Sequence, residues 1–302
     1  MSYRPFRSDP EGLVSELPGW KIFRFDEPGR LKGGIAVSSE AEPLVRQGNL
    51  LNLEGLMQEQ GLESMRVVES RQTVRIQLGE DGFFLKKFLA AEGGMGPVGQ
   101  ALREFSNLLE LSRLGFLCPS PVLLAWGTRD GRAFSAVMTK AIEGAVQADH
   151  LLGRINIPDL TNQRKLSSKE RRLVLFEIGR VAGRLHRNGL IHRDLYLCHF
   201  FPVTAPNEDA RSWPVYLIDL ARLFRPENRF ARWRLKDLAS ISYSARRYGL
   251  SRQELAVIWN GYFEASGLAP WSRPMWTLAA SFKSWYIWIK DKERKAEARG
   301  KR

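Results

Sequence analysis

Two short segments carry side chains suited to phosphoryl transfer. They are His192-Arg193-Asp194-Leu195-Tyr196-Leu197-Cys198-His199 and Val215-Tyr216-Leu217-Ile218-Asp219. Moving a phosphoryl group onto a hydroxyl needs a base for the acceptor's proton and groups that hold Mg²⁺ against the phosphates. Asp194 fits the base, while His199 and Asp219 fit the metal positions. An acid after His-Arg, a polar residue five positions later and an acid ending an apolar strand have the spacing this chemistry uses.

The pattern departs from that of protein kinases at two points. Those enzymes carry Asn where this chain has His199. A neutral imidazole ligates metals, but Mg²⁺ prefers oxygen. His199 is therefore open to three roles: binding through water, orienting Asp194, or meeting a phosphate. The second departure is Asp219-Leu220-Ala221 in place of Asp-Phe-Gly. The acid is kept, and the Phe-Gly pair that lets the loop flip is absent. Little chain separates Asp219 from Asp237, and no Ala-Pro-Glu follows. No switching by activation-loop phosphorylation is expected.

A nucleotide also needs a cation on a sheet. Thr73–Leu78 alternates apolar and polar as a half-buried strand, Gly79–Gly82 reads as a turn, and Phe83–Phe88 returns as the next strand. Met65–Glu69 is a candidate strand before them. Lys86 ends the apolar run Phe83-Phe84-Leu85 and is the phosphate-positioning candidate, with Lys87 on the opposite face. A helix over Gln100–Arg113, with Leu102, Phe105, Leu108, Leu109 and Leu111 as its apolar positions, offers Glu104 as the partner of Lys86 and Glu110 as the second choice. Val122–Trp126 and Ala133–Thr139 read as two more strands around the turn Thr128–Arg132. Adenine would then meet the segment Met138-Thr139-Lys140-Ala141-Ile142, with Met138, Thr139 and Ala141 as nucleotide contacts.

No glycine-rich loop joins the first two of these strands. Glu69-Ser70-Arg71-Gln72-Thr73 stands there, so Arg71 or backbone N–H groups would have to face phosphate. A Gly-x-Gly-x-x-Gly does occur at Gly94, Gly96 and Gly99, but Pro97 lies inside it and the acidic residue of a dinucleotide site is missing. It reads as a loop.

Beyond these elements the pattern is helical. Ser167 and Glu170 have capping-box spacing and open a long helix, with Leu173, Phe176, Val181 and Leu185 as core positions and Gly189 as its stop. Lys236–Tyr248, Arg252–Ser266 and Pro274–Lys290 read as further helices. His192 and Arg193 are expected to shape the catalytic loop, and Asp237 to accept backbone hydrogen bonds from it. The residues before about 61 are the hardest to place. Trp20–Phe25 reads as a strand and Gly29–Gly34 as a turn, in a segment taken as an N-terminal extension.

With 302 residues the chain can bury a sizeable core. It shows no apolar run long enough to span a bilayer and no apolar core of a signal peptide in its first residues, and a cytoplasmic protein is expected. Two cysteines, Cys118 and Cys198, fit a reducing compartment without a disulfide. The formal net charge of +13 predicts an anionic partner. Part of the excess sits in Lys290–Lys295 and Gly300–Arg302, where a solvated helix end and a binding role are equally open.

Phe83-Phe84-Leu85-Lys86-Lys87, Arg103-Glu104-Phe105, the loop from His192 through Cys198-His199-Phe200, Leu217-Ile218-Asp219-Leu220 and Arg232–Leu238 together resemble the lipopolysaccharide kinases, which phosphorylate Kdo or heptose of the lipopolysaccharide inner core. The loop resembles the heptose-kinase branch, which also places His after Cys. The resemblance runs from about Thr73 to Tyr248. It implies an α+β, protein-kinase-like fold of two lobes: an N-terminal extension over 1–61, a β-rich lobe over 62–140 and a helical lobe over 141–302. It further implies ATP and Mg²⁺ as cofactors, a core glycolipid as substrate, and action at the cytoplasmic face of the inner membrane. The basic charge fits an anionic membrane surface independently, since each basic residue near one adds about 1 kcal/mol of attraction. Along Trp276–Trp288, helical spacing alone accounts for Trp276, Phe282, Trp285 and Ile289 as core, and that reading is taken over an interfacial one.

Two other readings keep the same residues. One is a kinase with a protein or another small molecule as acceptor. The other is a pseudokinase whose basic surface holds membrane or nucleic acid. All the essential polar groups are present, which speaks against the second and against nucleic acid as the partner. Oligomeric state is not encoded in any of these patterns.

Overall fold

The computed structural model of the chain describes residues 9–27, 31–57, 63–68, 71–89, 97–153, 166–203 and 213–300. The chain divides into two compact units, Met1–Ile142 and Glu143–Arg302.

The first unit is an antiparallel sheet covered on both faces. In chain order it runs α1 (Pro10–Ser15), β1 (Trp20–Glu27), β2 (Leu31–Ser38), α2 (Glu42–Gln47), α3 (Leu53–Met57), β3 (Glu63–Val68), β4 (Arg71–Leu78), β5 (Asp81–Leu89), α4 (Pro97–Arg113), β6 (Pro121–Arg129) and β7 (Arg132–Lys140). The sheet order is β1-β2-β6-β7-β5-β4-β3. The segment read as an N-terminal extension thus supplies two strands of the sheet itself, because β2 pairs with β6 from Leu31↔Arg129 to Val37↔Leu123. Gly33 and Gly34 lie inside β2 and not in a turn, which corrects the sequence reading. The reason is close approach: a Cβ on Gly33 would sit 2.1 Å from the Trp126 carbonyl oxygen.

One face of this sheet packs on α2 and α3 through Val45, Leu53 and Leu56 against Ile35, Leu85 and Met138. The other face meets α4, whose Ala101, Leu102, Phe105, Leu108 and Leu111 are buried while Leu109 is only half-buried. Trp20 closes edge-on against Phe105, with ring centroids 5.0 Å apart. Alternation along β5 sends Phe83, Leu85 and Lys87 to one face and Phe84, Lys86 and Phe88 to the other. Lys87, only 2 % exposed, is part of the packed interior.

The second unit is mainly helical. It contains α5 (Ala148–Leu152), α6 (Ser168–Arg187), β8 (Phe200–Pro202), β9 (Val215–Leu217), α7 (Phe230–Arg247), α8 (Arg252–Ser266) and α9 (Arg273–Gly300). The expected capping box opens α6: Ser167 Oγ accepts the Glu170 N–H, and the Glu170 carboxylate accepts the Ser167 N–H. Its buried face is Val174, Leu175, Ile178, Val181, Ala182 and Leu185, whereas Leu173 and Phe176 are half-buried. Glycines let α6 and α8 touch along their backbones. A Cβ on Gly179 would lie 2.0 Å from the Ile258 carbonyl oxygen, and one on Gly261 2.0 Å from that of Phe176.

Two helices extend beyond their sequence limits. The α7 helix begins at Phe230, before Lys236, and α9 runs on to Gly300, past Lys290. The reading of α9 as core is overturned in part. Ala280 and Ser284 are buried at a spacing that continues to Asp291, which the Tyr243 hydroxyl on α7 reaches at 2.7 Å. Phe282 and Trp285 point away from that seam and are 69 % and 52 % exposed. Trp276 and Ile289 are half-buried. The helical period was right, but the seam consists of small residues, so the large apolar ones face out. No helix among the described residues is long and apolar enough to cross a membrane.

Candidate active site

In the second unit the loop from Leu190 to His199 is held at several points. Gly189, at φ +73°, ends α6. Ile191 then exchanges both backbone hydrogen bonds with Phe224, at 2.9 and 3.0 Å. The His192 N–H donates to Asp237 Oδ2 at 2.8 Å, and Asp237 has no exposed surface. That places Asp237, from α7, where a loop-holding carboxylate was expected. Leu195 and Leu197 are fully buried pegs, and Ser244 Oγ accepts the Leu197 N–H at 3.0 Å.

Arg193 and Asp219 both adopt left-handed backbone conformations, with φ at 74° and 57°. Such non-glycine positions cost roughly 1–3 kcal/mol each and cluster at functional sites. The Arg193 guanidinium lies over Phe224 and Trp233, at 5.6 and 5.4 Å from the ring centroids. Its carbonyl accepts the Lys236 ammonium at 2.6 Å.

Asp194, His199 and Asp219 come together. His199 Nδ1 lies 2.6 Å from the Asp194 backbone carbonyl, so Nδ1–H donates there. Nε2 is thereby turned toward Asp219 Oδ2, 3.6 Å away. In the neutral ring this sets a lone pair beside a carboxylate, two electron donors facing one space. His199 therefore does one of its three anticipated jobs visibly, orienting the segment that carries Asp194. His192 stacks on His199 with centroids 5.5 Å apart, and His192 Nε2–H donates to the Ile218 carbonyl at 3.0 Å. One histidine thus links the catalytic loop to the residue before Asp219.

Two cations on Asp194 were not anticipated. Arg222 Nη1 donates to Asp194 Oδ2 at 2.6 Å, and Lys236 Nζ stands 3.8 Å from Oδ1. Burial pulls the Lys236 ammonium below its ordinary range, against the favourable pull of Asp194. Arg222 sits in a 3-10 turn, Leu220–Arg222, directly after Asp219, and Lys236 precedes Asp237. Arg222 carried no signal beyond its place shortly after Asp219, and Lys236 only its place beside Asp237 in the segment Arg232–Leu238.

The expected cation and its partner lie within the first unit. Lys86 Nζ meets Glu104 Oε1 at 2.5 Å, with side chains 16 % and 7 % exposed. Glu104, and not Glu110, is the carboxylate on Lys86. At the end of β7, Met138 is packed in the core. Thr139 pairs with Phe84 and Pro121, and the Ala141 N–H already donates to the Gly82 carbonyl at 2.8 Å. Of the residues read as nucleotide contacts, Ala141 thus has its donor committed. Arg71 begins β4, whereas Glu69, Ser70, Gly94 and Gly96 lie outside the described residues.

Among the described residues no three His, Cys, Asp or Glu side chains form a ready metal cage. Mg²⁺ does not require one, since it takes one or two carboxylates and completes its shell with phosphates and water. Asp219 fits as a direct ligand, and His199 Nε2 fits as the acceptor of a bound water. Neither cysteine forms a disulfide, and burial pushes Cys118 up to about 11.

Two buried histidines make the loop acid-sensitive. Burial holds His186 and His192 below the usual imidazole range despite the charge of Asp237. His186 Nε2 lies 3.3 Å from Asp237 Oδ2, and its Nδ1 lies 3.0 Å from the Tyr262 hydroxyl. Each folded ring takes up its proton at lower pH than in the unfolded chain, which is protonated below about pH 6.5. Stability present above that pH is lost as pH falls, by about 1.4 kcal/mol per pH unit for each histidine. Melting followed from pH 7.5 to 5.5 is expected to show this decline, and a flat profile would contradict the lowered proton affinity of the rings.

The family model described as "Lipopolysaccharide kinase (Kdo/WaaP) family" matches residues 95–262. The lipopolysaccharide core heptose(I) kinase WaaP of Pseudomonas aeruginosa is 27 % identical over 248 residues, which is 77 % of this chain and 84 % of that protein. The enzyme of the same name from Escherichia coli K12 is 24 % identical over 216 residues, 67 % of this chain and 77 % of the relative. A solved structure of WaaP in complex with acyl carrier protein is similar in fold, with a TM-score of 0.58 and 24 % identity, covering 84 % of this chain and 96 % of that one. The α+β fold is that of protein-kinase-like enzymes.

Proposed function

Because the chain belongs to the lipopolysaccharide kinase (Kdo/WaaP) family, we infer that it phosphorylates a sugar hydroxyl of the lipopolysaccharide inner core, with ATP as donor and heptose as acceptor. The observation that carries this reading is the gathering of Asp194, His199 and Asp219 within one unit. The names of the curated relatives favour heptose over Kdo.

Asp194 takes the proton of the attacking hydroxyl as that oxygen bonds to phosphorus. Arg222, half exposed, steadies the Asp194 carboxylate and is free to swing from Oδ2 toward the transferring phosphoryl group, whose charge it matches. Lys236 holds the backbone beside Asp194. Lys86, fixed by Glu104, supplies the cation for the nucleotide phosphates. Mg²⁺ would be held by Asp219 with His199, and would offset charge on the phosphates. Asp237 and His192 set the loop's shape and do not touch substrate.

The segment after Asp219 fits constitutive activity. It is short, and it is tied to the catalytic loop by the Ile191–Phe224 bridge. Arg193 is spent on aromatic rings, so no arginine waits in the loop for an added phosphate.

The acceptor resides in a membrane, and α9 suits an anionic one. Met275, Leu278, Phe282 and Trp285 recur at helical spacing on its exposed side, and Trp271 just before it is 82 % exposed. Lys283, Lys290 and Lys292 lie on the same helix. An exposed apolar stripe beside cations is the pattern of a helix lying in a lipid headgroup region. Vesicles containing phosphatidylglycerol should retain the chain, neutral vesicles much less, and Leu278→Glu with Phe282→Glu should release it. Equal retention on both lipids would remove the electrostatic part of this reading. Capture by acyl carrier protein with no vesicle binding would assign the face to an acidic protein instead.

Phosphorylation of purified core glycolipid tests the function itself. ADP formation should depend on the glycolipid, and one phosphate should appear on it.

A further inference from the structure

Between α7 and α9 the second unit carries a half-open cavity of about 920 Å³, which shares Lys236 with the site above and Lys283 and Lys290 with the cations of α9. It reaches the catalytic loop through Tyr196 and Cys198. Its wall carries six basic side chains: Arg232, Lys236, Arg247, Lys283, Lys290 and Arg294. Two carboxylates, Asp291 and Glu293, offset only part of that charge. Asp291 accepts from Tyr243 and faces Arg247 and Arg294, and Glu293 accepts from Lys290. Among the described residues, Arg232 and Lys283 meet aromatic rings and not carboxylates: Arg232 lies over Trp233 at 5.9 Å and Lys283 over Tyr286 at 5.4 Å.

The cavity is joined to the reacting groups by Lys236. That side chain lines the wall while its ammonium donates to the Arg193 carbonyl and stands 3.8 Å from Asp194 Oδ1. Lys236 thus stands between the cavity and Asp194, which does not itself line the wall. The aromatic rings hold the cations in place, and guanidinium and ammonium groups suit carboxylate or phosphate.

We propose that this cavity is the acceptor subsite, and that Arg232 and Lys283 bind the carboxylates or phosphates on the sugars next to the one phosphorylated. The inference rests on the core-sugar reading above and deepens it. It assigns acceptor recognition to α7 and α9, outside the catalytic loop. Specificity for a charged oligosaccharide then comes from groups other than those assigned to phosphoryl transfer.

The test uses the full chain and a deacylated inner-core oligosaccharide carrying Kdo carboxylates and phosphates. Binding is measured by calorimetry and phosphate transfer by mass spectrometry. Arg232→Glu and Lys283→Glu should each weaken binding and raise the acceptor KM by about tenfold or more, the size of one charge-assisted contact. Lys169→Glu makes the same charge change on the exposed first turn of α6 and should leave both unchanged. The same oligosaccharide after enzymatic dephosphorylation and carboxyl reduction should bind the parent chain weakly and no longer discriminate among the variants. If the parent chain phosphorylates the oligosaccharide and neither reversal changes binding or KM, the subsite is wrong and the function stands. If no phosphate is transferred but binding still responds to both reversals, the cavity stands as an anionic-glycan site and the function is wrong. A response to Lys169→Glu as large as to the other two would show general charge attraction and overturn the subsite.

Discussion

Asp194→Asn should lower kcat by roughly a hundred- to ten-thousand-fold, the contribution of a positioned general base. The folded state should barely change. The Asn side chain can still accept from Arg222, and the lost ion pair is with a guanidinium whose side chain is 52 % exposed, so the stability cost is about 1 kcal/mol or less. Nucleotide affinity should also stay near that of the parent chain, because Lys86, the proposed phosphate cation, lies in the other unit. A variant that melts like the parent chain, binds nucleotide and transfers almost no phosphate is the expected result. Full activity in Asp194→Asn would remove the base from the mechanism, whatever the family.

A different signature is expected from Lys86 and Glu104. Glu104 is buried, Lys86 is partly buried, and they meet at 2.5 Å. Removing one partner leaves the other charge in a poor solvent, and Glu104→Gln should cost about 3 kcal/mol of stability. Lys86→Met alone should lose activity through the missing phosphate cation and lose stability because the buried Glu104 carboxylate gives up its ion pair. The double variant Lys86→Met/Glu104→Gln should recover much of the stability, since a buried ion pair can be replaced by uncharged groups at little net cost. Activity should not recover. Thermal melting and single-turnover transfer on the four chains separate the two effects. Stability that falls additively would mean the two groups do not act as a pair, and recovered activity would mean Lys86 is not the phosphate cation.

Much of this was legible because local chemistry dictated it. The Ser167/Glu170 spacing fixes the start of α6 within the chain itself, and β4 and β5 announce themselves by alternation and a glycine turn. Asp194, His199 and Asp219 were readable because phosphoryl transfer demands particular groups at particular spacings. Other features depend on tertiary context. Gly33 and Gly34 look like a turn in one dimension, yet they serve the close pairing of β2 with β6. Arg222 and Lys236 look like ordinary surface cations until the loop after Asp219 folds back onto Asp194. In α9 the apolar period was visible, but which side of it would be buried depended on the small residues Ala280 and Ser284, which let α9 lie close to α7. The cavity walls come from three separated stretches, and no spacing rule links Tyr196, Arg232 and Lys283.

The most direct measurement of the central claim is mass spectrometry of core glycolipid incubated with the purified chain, ATP and Mg²⁺, with Asp194→Asn run beside it. A gain of one phosphate on a core heptose, present with the parent chain and nearly absent with the variant, is the predicted result. An unchanged glycolipid mass under conditions where the chain still binds ATP, or a phosphate gain undiminished in the variant, would contradict it.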